Sequence, residues 1–141
     1  MARDRRSPAL AGQVLLSPML DACLGTASLR DAHAGPVGCR WADGWHHYLA
    51  DAGDALHPYA APGQASRLAG LPPTLLLSAA DDPLRDETHA YAERLRDAGV
   101  PTEELISKGQ PHGFLNLDFP ASAEVYDAAG AWLRDVFAAA G

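Results

Sequence analysis

The sequence contains few of the features that mark a disulfide-stabilised, metal-binding or membrane-spanning protein. Its 141 residues include two cysteines, Cys23 and Cys39, and their separation fits neither a C-x-x-C motif nor the usual spacing of metal ligands. No apolar run approaches the roughly 20 residues of a membrane-spanning helix. We therefore expect reduced thiols, no metal site and no membrane span.

Basic residues are also scarce. The chain has 11 Lys and Arg residues against 18 Asp and Glu residues, a formal net charge of −7, and it has no basic stripe. This balance argues against binding to a phosphate backbone and favours a freely diffusing protein. The charged start MARDRR precedes an apolar stretch that Gly12 and Gln13 interrupt, without the cleavage-site pattern of a secretory signal. We expect no nucleic-acid partner and a cytoplasmic location.

Apolar residues, by contrast, are plentiful enough for a core. They make up 48% of the chain, and no repeat or low-complexity linker divides it, so residues 1–141 are predicted to form a single domain. Three short apolar runs, bounded by Gly and Pro, lie at 12–18, 73–80 and 102–107. The first two lack alternation, which is typical of parallel strands covered on both faces.

Helical signals separate and follow these runs. Asp82 and Pro83 are typical of a helix N-terminus, and Gly99 is typical of the residue that closes a helix. Near the C-terminus, apolar residues recur at helical spacing, and the predicted buried face comprises Val125, Ala128, Ala129, Trp132, Leu133, Val136 and Phe137. A third helix is predicted within 39–53, with Trp41, Trp45, Tyr48 and Leu49 on one side. The order predicts an α/β fold of three parallel strands with flanking helices.

Two polar residues follow neighbouring predicted strands, Asp82 after 73–80 and His112 after 102–107. Because the carboxyl ends of parallel strands lie at one edge of a sheet, we expect these side chains to meet. An aspartate that accepts a hydrogen bond from one imidazole nitrogen fixes the tautomer, and the other nitrogen can then take a proton. The alternatives are that Asp82 only caps a helix and that His112 is a solvated loop residue.

These residues lie in motifs that resemble a known family. The segment D-P-L-R-D-E (82–87), followed by H-G-F (112–114), is similar to the C-terminal part of the hormone-sensitive-lipase-like α/β-hydrolases. The resemblance extends upstream through ALAGQVLLSPMLD, RWADGWHHYL and HPYAAP, and so covers about residues 2–137. It implies a partial α/β-hydrolase fold, with Asp82 as the acid and His112 as the base of a serine triad. Asp81 is the neighbouring carboxylate that a one-residue error would select.

The nucleophile that this family uses has no counterpart here. The family's serine lies in a G-D-S-A-G elbow and its oxyanion hole draws on an H-G-G-G segment, and the sequence contains neither. None of the seven serines lies in a G-x-S-x-G context; they are Ser7, Ser17, Ser28, Ser66, Ser78, Ser107 and Ser122. The resemblance therefore implies that the chain represents the acid and base half of a hydrolase, with the nucleophile half missing.

Five further residues are candidates for a substrate pocket. Leu20 and Asp21 follow the first strand at the edge where the site is expected, although Asp21 equally suits a turn. Trp41 and Trp45 lie on one side of a predicted helix, where they could wall a pocket, although an aromatic stripe at helical spacing is more often ordinary core. Phe114 follows the histidine loop, and we expect it to pack there.

The predicted function is hydrolysis of small-molecule carboxylic esters, which needs no cofactor, and the isolated chain is expected to be nearly inactive. The main alternative is a non-catalytic pseudoenzyme or interaction remnant. Other hydrolases of the superfamily, such as peptidases and dienelactone hydrolases, also place Asp and His late in the chain, but D-P-L-R-D-E favours the esterase branch. An apolar strand at 12–18 that formed a sheet edge would expose unpaired backbone groups, so a homodimer through this strand is also predicted.

Overall fold

The computed structural model describes residues 2–5, 8–33, 40–113 and 122–140. Strands and helices alternate along most of this chain, and two 3₁₀ turns lie at Ala52–Leu56 and Pro62–Gln64. In chain order the elements are β1 (Gln13–Leu16), α1 (Ala27–His33), α2 (Arg40–Tyr48), β2 (Thr74–Asp81), α3 (Arg85–Asp97), β3 (Thr102–Pro111) and α4 (Ser122–Ala140). None of the described helices has the length and apolar character needed to cross a membrane.

Within the described residues, the strands form one parallel sheet in the order β1-β2-β3. Leu77 pairs with Leu16 on one side and with Leu105 on the other, so β2 is the central strand. The sequence-based prediction of an α/β fold with three parallel strands is confirmed. The helix α3 connects β2 to its parallel neighbour β3, as expected for a β-α-β crossover.

The sheet is covered on both faces because side chains of β2 alternate between two cores. Leu76 packs with Tyr91 and Leu95 of α3 on one face. Leu75 and Leu77 pack on the other face, against an apolar stripe of α4 that includes Val125, Ala129, Trp132, Leu133 and Val136. Full burial of a leucine is worth about 1.5–3 kcal/mol, which explains why β2 reads as an unbroken apolar run.

The strand β3 is longer than the predicted segment 102–107. Its pairing with β2 shifts register beyond Ala79 and resumes with Asp81 opposite Pro111. The irregularity coincides with Gly109, whose φ of +63° is a backbone conformation that glycine adopts without strain. As a result, β3 continues to the residue directly before His112, which keeps the histidine close to the end of β2.

The helix between β2 and β3 begins later than its sequence suggests. The predicted cap, Asp82, lies three residues before Arg85, where α3 starts. Its carboxylate instead accepts a hydrogen bond from the Leu84 amide, at 2.8 Å, in an Asx-type turn. The predicted closure at Gly99 is found, since Gly99 has a φ of +75° and Val100 N–H donates to the Leu95 carbonyl.

Two predicted buried positions are wrong. Phe137 is 62% exposed, because the last turns of α4 lie beside the amino ends of the strands, near Pro73 and Pro101, where the sheet ends. Tyr48, the last residue of α2, is 63% exposed, and its ring forms a T-shaped pair with that of Trp45. Helical spacing correctly identified the stripe in both helices but overestimated its length.

Candidate active site

The carboxyl ends of β2 and β3 bring Asp82 and His112 together. The Nδ1 atom of His112 lies 2.9 Å from Oδ2 and 3.1 Å from Oδ1 of Asp82. Each residue directly follows the last residue of its strand, so the spacing of two adjacent parallel strands sets the distance between them. The contact is a hydrogen bond with one imidazole nitrogen, which leaves the other nitrogen, Nε2, on the opposite side of the ring.

Asp82 is almost completely buried, with 1% of its surface exposed. Burial alone would raise the pKa of its carboxyl, but hydrogen bonds from His112, the Ser17 hydroxyl and the Leu84 amide outweigh burial and lower the pKa. The group is therefore held as a carboxylate whose lone pairs are occupied by donors. A buried, fixed carboxylate of this kind can orient an imidazole and stabilise its protonated form.

His112 is only partly covered. Its side chain is 39% exposed, and one side of the ring contacts Trp41 of α2, with the ring centroids 4.6 Å apart and the planes at 79°. The edge-to-face contact of two rings fixes their relative orientation. Gly113, with a φ of +83°, carries no side chain beside the ring. The imidazole is thus held by Asp82 and Trp41 while part of it remains open to a reactant.

Leu20 and Asp21, two candidates for a pocket, lie directly after β1 and its Ser-Pro turn. The Leu20 side chain is buried in the core on the α3 face of the sheet. One oxygen of Asp21 accepts hydrogen bonds from the Cys23 amide and from the Gln64 side chain, both at 2.9 Å, as expected of a turn residue. Both also line a cavity of about 130 Å³ near α3.

The aromatic candidates differ in their placement. Trp41 contacts His112 directly, as described above. Trp45, one turn further along α2, is 5% exposed, and it lines a separate cavity of about 270 Å³ with Met19 and Tyr59. Its indole N–H is buried without a hydrogen-bond partner among the described residues. Phe114 lies outside the described residues.

The side chains of Arg85, Asp86 and Glu87 make specific contacts that sequence reasoning missed. The Arg85 guanidinium donates to the Ala80 carbonyl. Asp86 accepts a hydrogen bond from the Ser28 amide at 2.9 Å, while its own amide donates to the Ser28 hydroxyl. The turn that carries Asp82 is thereby fastened both to β2 and to α1.

Glu87 is the second buried carboxyl of this turn. One of its oxygens accepts hydrogen bonds from the amides of Leu20 and Asp21, whereas Oε2 is buried without a partner among the described residues. Burial raises the pKa of Glu87 to about 7, and the nearby Asp21 adds to the increase, although the two amide bonds oppose it. Glu87 thus fixes the loop after β1 to α3.

Ser17 also escaped sequence reasoning, which considered the serines only as nucleophiles. It follows the last residue of β1, and its hydroxyl is one of the groups that lower the pKa of Asp82. A short polar residue directly after a strand end was the available signal. The same signal identified Asp82 and His112.

A parallel sheet with a buried carboxylate after one strand and an imidazole hydrogen-bonded to it after the next defines an α/β protein whose polar pair lies at the carboxyl ends of the strands. The chain belongs to the alpha/beta hydrolase fold family, whose model matches residues 1–116. The sequence-based assignment to this family is therefore confirmed.

Relatives that are named esterases or lipases support this placement. The chain is 36% identical, over 132 residues, to the carboxylesterase NlhH of Mycobacterium tuberculosis, and 42% identical, over 62 residues, to the hormone-sensitive lipase of Mus musculus. Among solved structures, the esterase LipW from Mycobacterium marinum matches with a TM-score of 0.86 and 38% identity. The match covers 88% of this chain for NlhH, 44% for the lipase and 96% for LipW.

The chain spans less than half the length of these relatives. The matched segments amount to 41% of NlhH, 8% of the hormone-sensitive lipase and 44% of LipW. The similarity therefore establishes the family and the fold of the matched portion.

Proposed function

We propose that this chain carries the acid and base of a serine-type carboxylic ester hydrolase, with Asp82 as the acid and His112 as the base. The observation that supports this proposal most directly is the 2.9 Å hydrogen bond between the buried carboxylate and Nδ1 of an imidazole that is partly open to solvent. The substrate class is a small-molecule carboxylic ester, and no cofactor takes part. A cytoplasmic location and the absence of a nucleic-acid partner remain predictions from composition.

The proposed chemistry assigns one role to each nitrogen of His112. Nδ1–H donates to Asp82, so Nε2 carries a lone pair and takes the proton of a serine hydroxyl as that hydroxyl attacks the ester carbonyl. The imidazolium is stabilised by the ionised Asp82, and Nε2–H then returns the proton to the departing alcohol. The serine and the donors for the developing oxyanion come from a segment outside this sequence.

The chain alone is expected to show almost no esterase activity. Loss of one triad member typically costs about 10⁴-fold or more, and loss of an oxyanion-hole donor roughly 10² to 10³-fold. We expect no labelling by a serine-directed fluorophosphonate and no turnover of a short-chain nitrophenyl ester. Substantial turnover that disappears in His112→Ala would reveal a nucleophile within these residues and overturn the prediction.

A chimaera tests the acid and base directly. In it, this chain replaces the matched segment of the Mycobacterium tuberculosis carboxylesterase NlhH, which supplies the remaining residues. We expect ester hydrolysis that falls by about 10⁴-fold in Asp82→Asn and at least as far in His112→Ala. Asp81→Asn is the matched control, because Asp81 is exposed and directly precedes the acid. Equal losses in Asp81→Asn and Asp82→Asn would contradict the assignment.

A second candidate function is an interaction module without catalysis. The edge strand β1 carries Leu16, which is 48% exposed, and Leu10, which is 54% exposed, lies just before the strand. In this alternative, a second copy of the chain pairs with β1 and gives a homodimer. We expect concentration-dependent dimerisation in light scattering at micromolar concentration, and Leu16→Lys should abolish it. A strictly monomeric parent chain would exclude this function.

A further inference from the structure

The carboxylate of Asp82 is held by a peptide group of its own turn. The N–H of Leu84 donates to Oδ1 of Asp82 at 2.8 Å, while the other oxygen, Oδ2, lies 2.9 Å from Nδ1 of His112. The N–H of Leu84 and the carbonyl of Pro83 belong to one planar unit, the 83–84 peptide group. A bond that fixes or polarises this carbonyl therefore acts on the donor to the carboxylate.

The Pro83 carbonyl accepts a hydrogen bond from a side chain outside the turn. The hydroxyl of Ser28, the second residue of α1, donates to this oxygen at 2.7 Å. In a trans peptide group the C=O and N–H bonds point in opposite directions, so Ser28 and the Asp82 carboxylate lie at opposite ends of one rigid unit. Three hydrogen bonds of 2.7, 2.8 and 2.9 Å thus connect Ser28, through the 83–84 peptide group, to Asp82 and His112.

The surroundings of the Ser28 hydroxyl fix its orientation. Ser28 is buried, with 8% of its surface exposed. Its oxygen accepts a hydrogen bond from the amide of Asp86 at 3.3 Å, which leaves the hydroxyl hydrogen for the Pro83 carbonyl. The amide of Ser28 donates in turn to the Asp86 carboxylate at 2.9 Å. The hydroxyl is therefore held as a donor to the 83–84 peptide group.

Hydrogen bonds that are connected through one polar group strengthen one another, because each bond polarises the next. A carbonyl that accepts a bond from Ser28 makes the N–H of the same peptide group a stronger donor to the carboxylate. The Leu84 amide is among the donors that lower the pKa of Asp82. The bond from Ser28 therefore favours the ionised form of Asp82 as well.

We propose that Ser28 is a positioning residue for the Asp82–His112 pair, on which it acts through the 83–84 peptide group. The inference rests on the proposed function in one respect, that the pair is catalytic. Ser28 holds the peptide group so that its N–H stays directed at Oδ1 of Asp82 while His112 gains and loses its second proton. Ser28 is not a catalytic residue, because the peptide group and the carboxylate separate its hydroxyl from the imidazole.

Nuclear magnetic resonance of the chain itself tests the proposal without requiring catalysis. The amide proton of Leu84 reports on the bond from the 83–84 peptide group, and the ¹³C carboxyl signal of Asp82 gives its pKa in a pH titration. Ser28→Ala removes the hydroxyl and leaves the backbone amide that donates to Asp86. Ser28→Cys keeps a side chain that donates only weakly, and it carries the measurement if the alanine variant fails to fold.

Thr88→Val is the matched control. The hydroxyl of Thr88 is also buried, and it also donates to a carbonyl of this turn, that of Leu84, at 2.9 Å. The Leu84 carbonyl belongs to the next peptide group, whose N–H, on Arg85, donates to the backbone carbonyl of Asp82. Thr88→Val therefore removes the same kind of bond without changing the donor to the carboxylate.

We expect Ser28→Ala to move the Leu84 amide proton upfield and to raise the pKa of Asp82 by roughly 0.1 to 0.7, which corresponds to 10–30% of a hydrogen bond to a charged group. Ser28→Cys should change both signals in the same direction by less, and Thr88→Val should leave both close to their values in the parent chain. Failure of either signal to respond to Ser28→Ala would overturn the proposal. Equal responses to Ser28→Ala and Thr88→Val would also overturn it.

The chimaera described above adds a kinetic measurement. Ser28→Ala should lower kcat by about twofold to tenfold, the rate equivalent of one neutral hydrogen bond, and leave KM unchanged, because the carboxylate is less firmly oriented toward Nδ1. Thr88→Val should keep the parent kcat. An unchanged kcat in Ser28→Ala would contradict the positioning role. If the chimaera is inactive with all residues in place while Asp82 still responds to Ser28 in the chain itself, the proposed function fails and the action of Ser28 on the carboxylate stands.

Discussion

The two ends of the segment 82–87 place a buried carboxyl in opposite environments. Asp82 has donors around both oxygens, and its pKa is lowered despite almost complete burial. Glu87 is the last residue of the same segment. One of its oxygens accepts hydrogen bonds from two amides, and the other has no partner among the described residues. Burial raises the pKa of Glu87 to about 7. The difference teaches that burial acts to raise the pKa of both carboxyls, and that the hydrogen-bond donors and the neighbouring charge, His112 beside Asp82 and Asp21 beside Glu87, decide whether the pKa is finally lowered or raised.

The largest effect that separates the two carboxyls is catalytic. In the chimaera, Asp82→Asn should reduce kcat by about 10⁴-fold, because the amide no longer selects the productive tautomer of His112. Glu87→Gln should stay within about threefold, since glutamine keeps an acceptor for the amides of Leu20 and Asp21 and leaves the Asp82 contacts intact. Initial rates on a nitrophenyl ester measure both. A large loss of activity in Glu87→Gln would show that Glu87 takes part in catalysis and would contradict the difference between the two carboxyls.

The next effect is on stability as a function of pH. The carboxyl of Glu87 keeps its proton to about pH 7 in the folded chain, while in the unfolded chain it releases it near 4.5. The contribution of Glu87 to the free energy of unfolding is therefore fully present below pH 4.5. It falls by about 3 kcal/mol as the pH rises to 7, at 1.36 kcal/mol for each unit of difference between the folded and unfolded pKa. Glu87→Gln should remove this loss and make the chain more stable than the parent above pH 7.

Urea denaturation at pH 4.5, 6 and 8 measures the stability effect of Glu87. The neighbouring charges are Asp21 on the loop after β1 and Arg94 on α3, which line the same cavity; the Arg94 guanidinium donates to the carbonyls of Gly63 and Ala65. Identical pH profiles for the parent chain and Glu87→Gln would show that folding does not change the pKa of Glu87 and would contradict the prediction.

Asp82 should produce the opposite slope at lower pH. Its pKa is lowered in the folded chain, so its contribution is present above the unfolded pKa and is lost as pH falls through the folded pKa. The acid limb of the stability profile should therefore be shallower in Asp82→Asn than in the parent chain. Thermal unfolding followed by circular dichroism between pH 2 and 5 detects the difference. Parallel acid limbs would contradict it.

The smallest effect concerns the contact between the turn and α1. Asp86→Ala should lower the free energy of unfolding by about 1 kcal/mol, since it removes the acceptor of the Ser28 amide. Asp97→Ala, at an exposed position on the same helix, is the control and should change stability by less than about 0.5 kcal/mol. Urea denaturation at pH 7 separates the two. Equal changes would mean that the bond to Ser28 contributes nothing measurable.

Much of the sheet and the contact between the two polar residues could be predicted because local patterns encode them. β2 reads as a continuous apolar run since both its faces are buried, and Asp82 and His112 each follow a strand directly. Their distance follows from the pairing of neighbouring parallel strands together with the register shift that brings Pro111 opposite Asp81, which no local pattern predicts. The catalytic roles assigned to them remain predictions.

The remainder depends on tertiary contacts that leave no local pattern. The seven-residue helix α1 is held through its residue Ser28, which hydrogen-bonds to Asp86 and to Pro83. Both partners lie more than fifty positions later in the sequence. The helix α3 begins at Arg85 and not directly after Asp82 as predicted. The Asp82 carboxylate is hydrogen-bonded to Leu84 and His112 and is therefore unavailable as an ordinary cap. The positive φ of Ser17 has no signature in its side chain, and it follows from the fit of β1 beside β2.

Asp82 and His112 lie on a single β-α-β crossover, thirty positions apart. Closing a loop of that length costs little chain entropy, because the cost grows only with the logarithm of loop length. Contacts of low sequence separation also form early during folding. The imidazole and its carboxylate are therefore brought together by one short stretch of polypeptide, whereas Trp41 contacts the imidazole from a segment that is more distant in the chain.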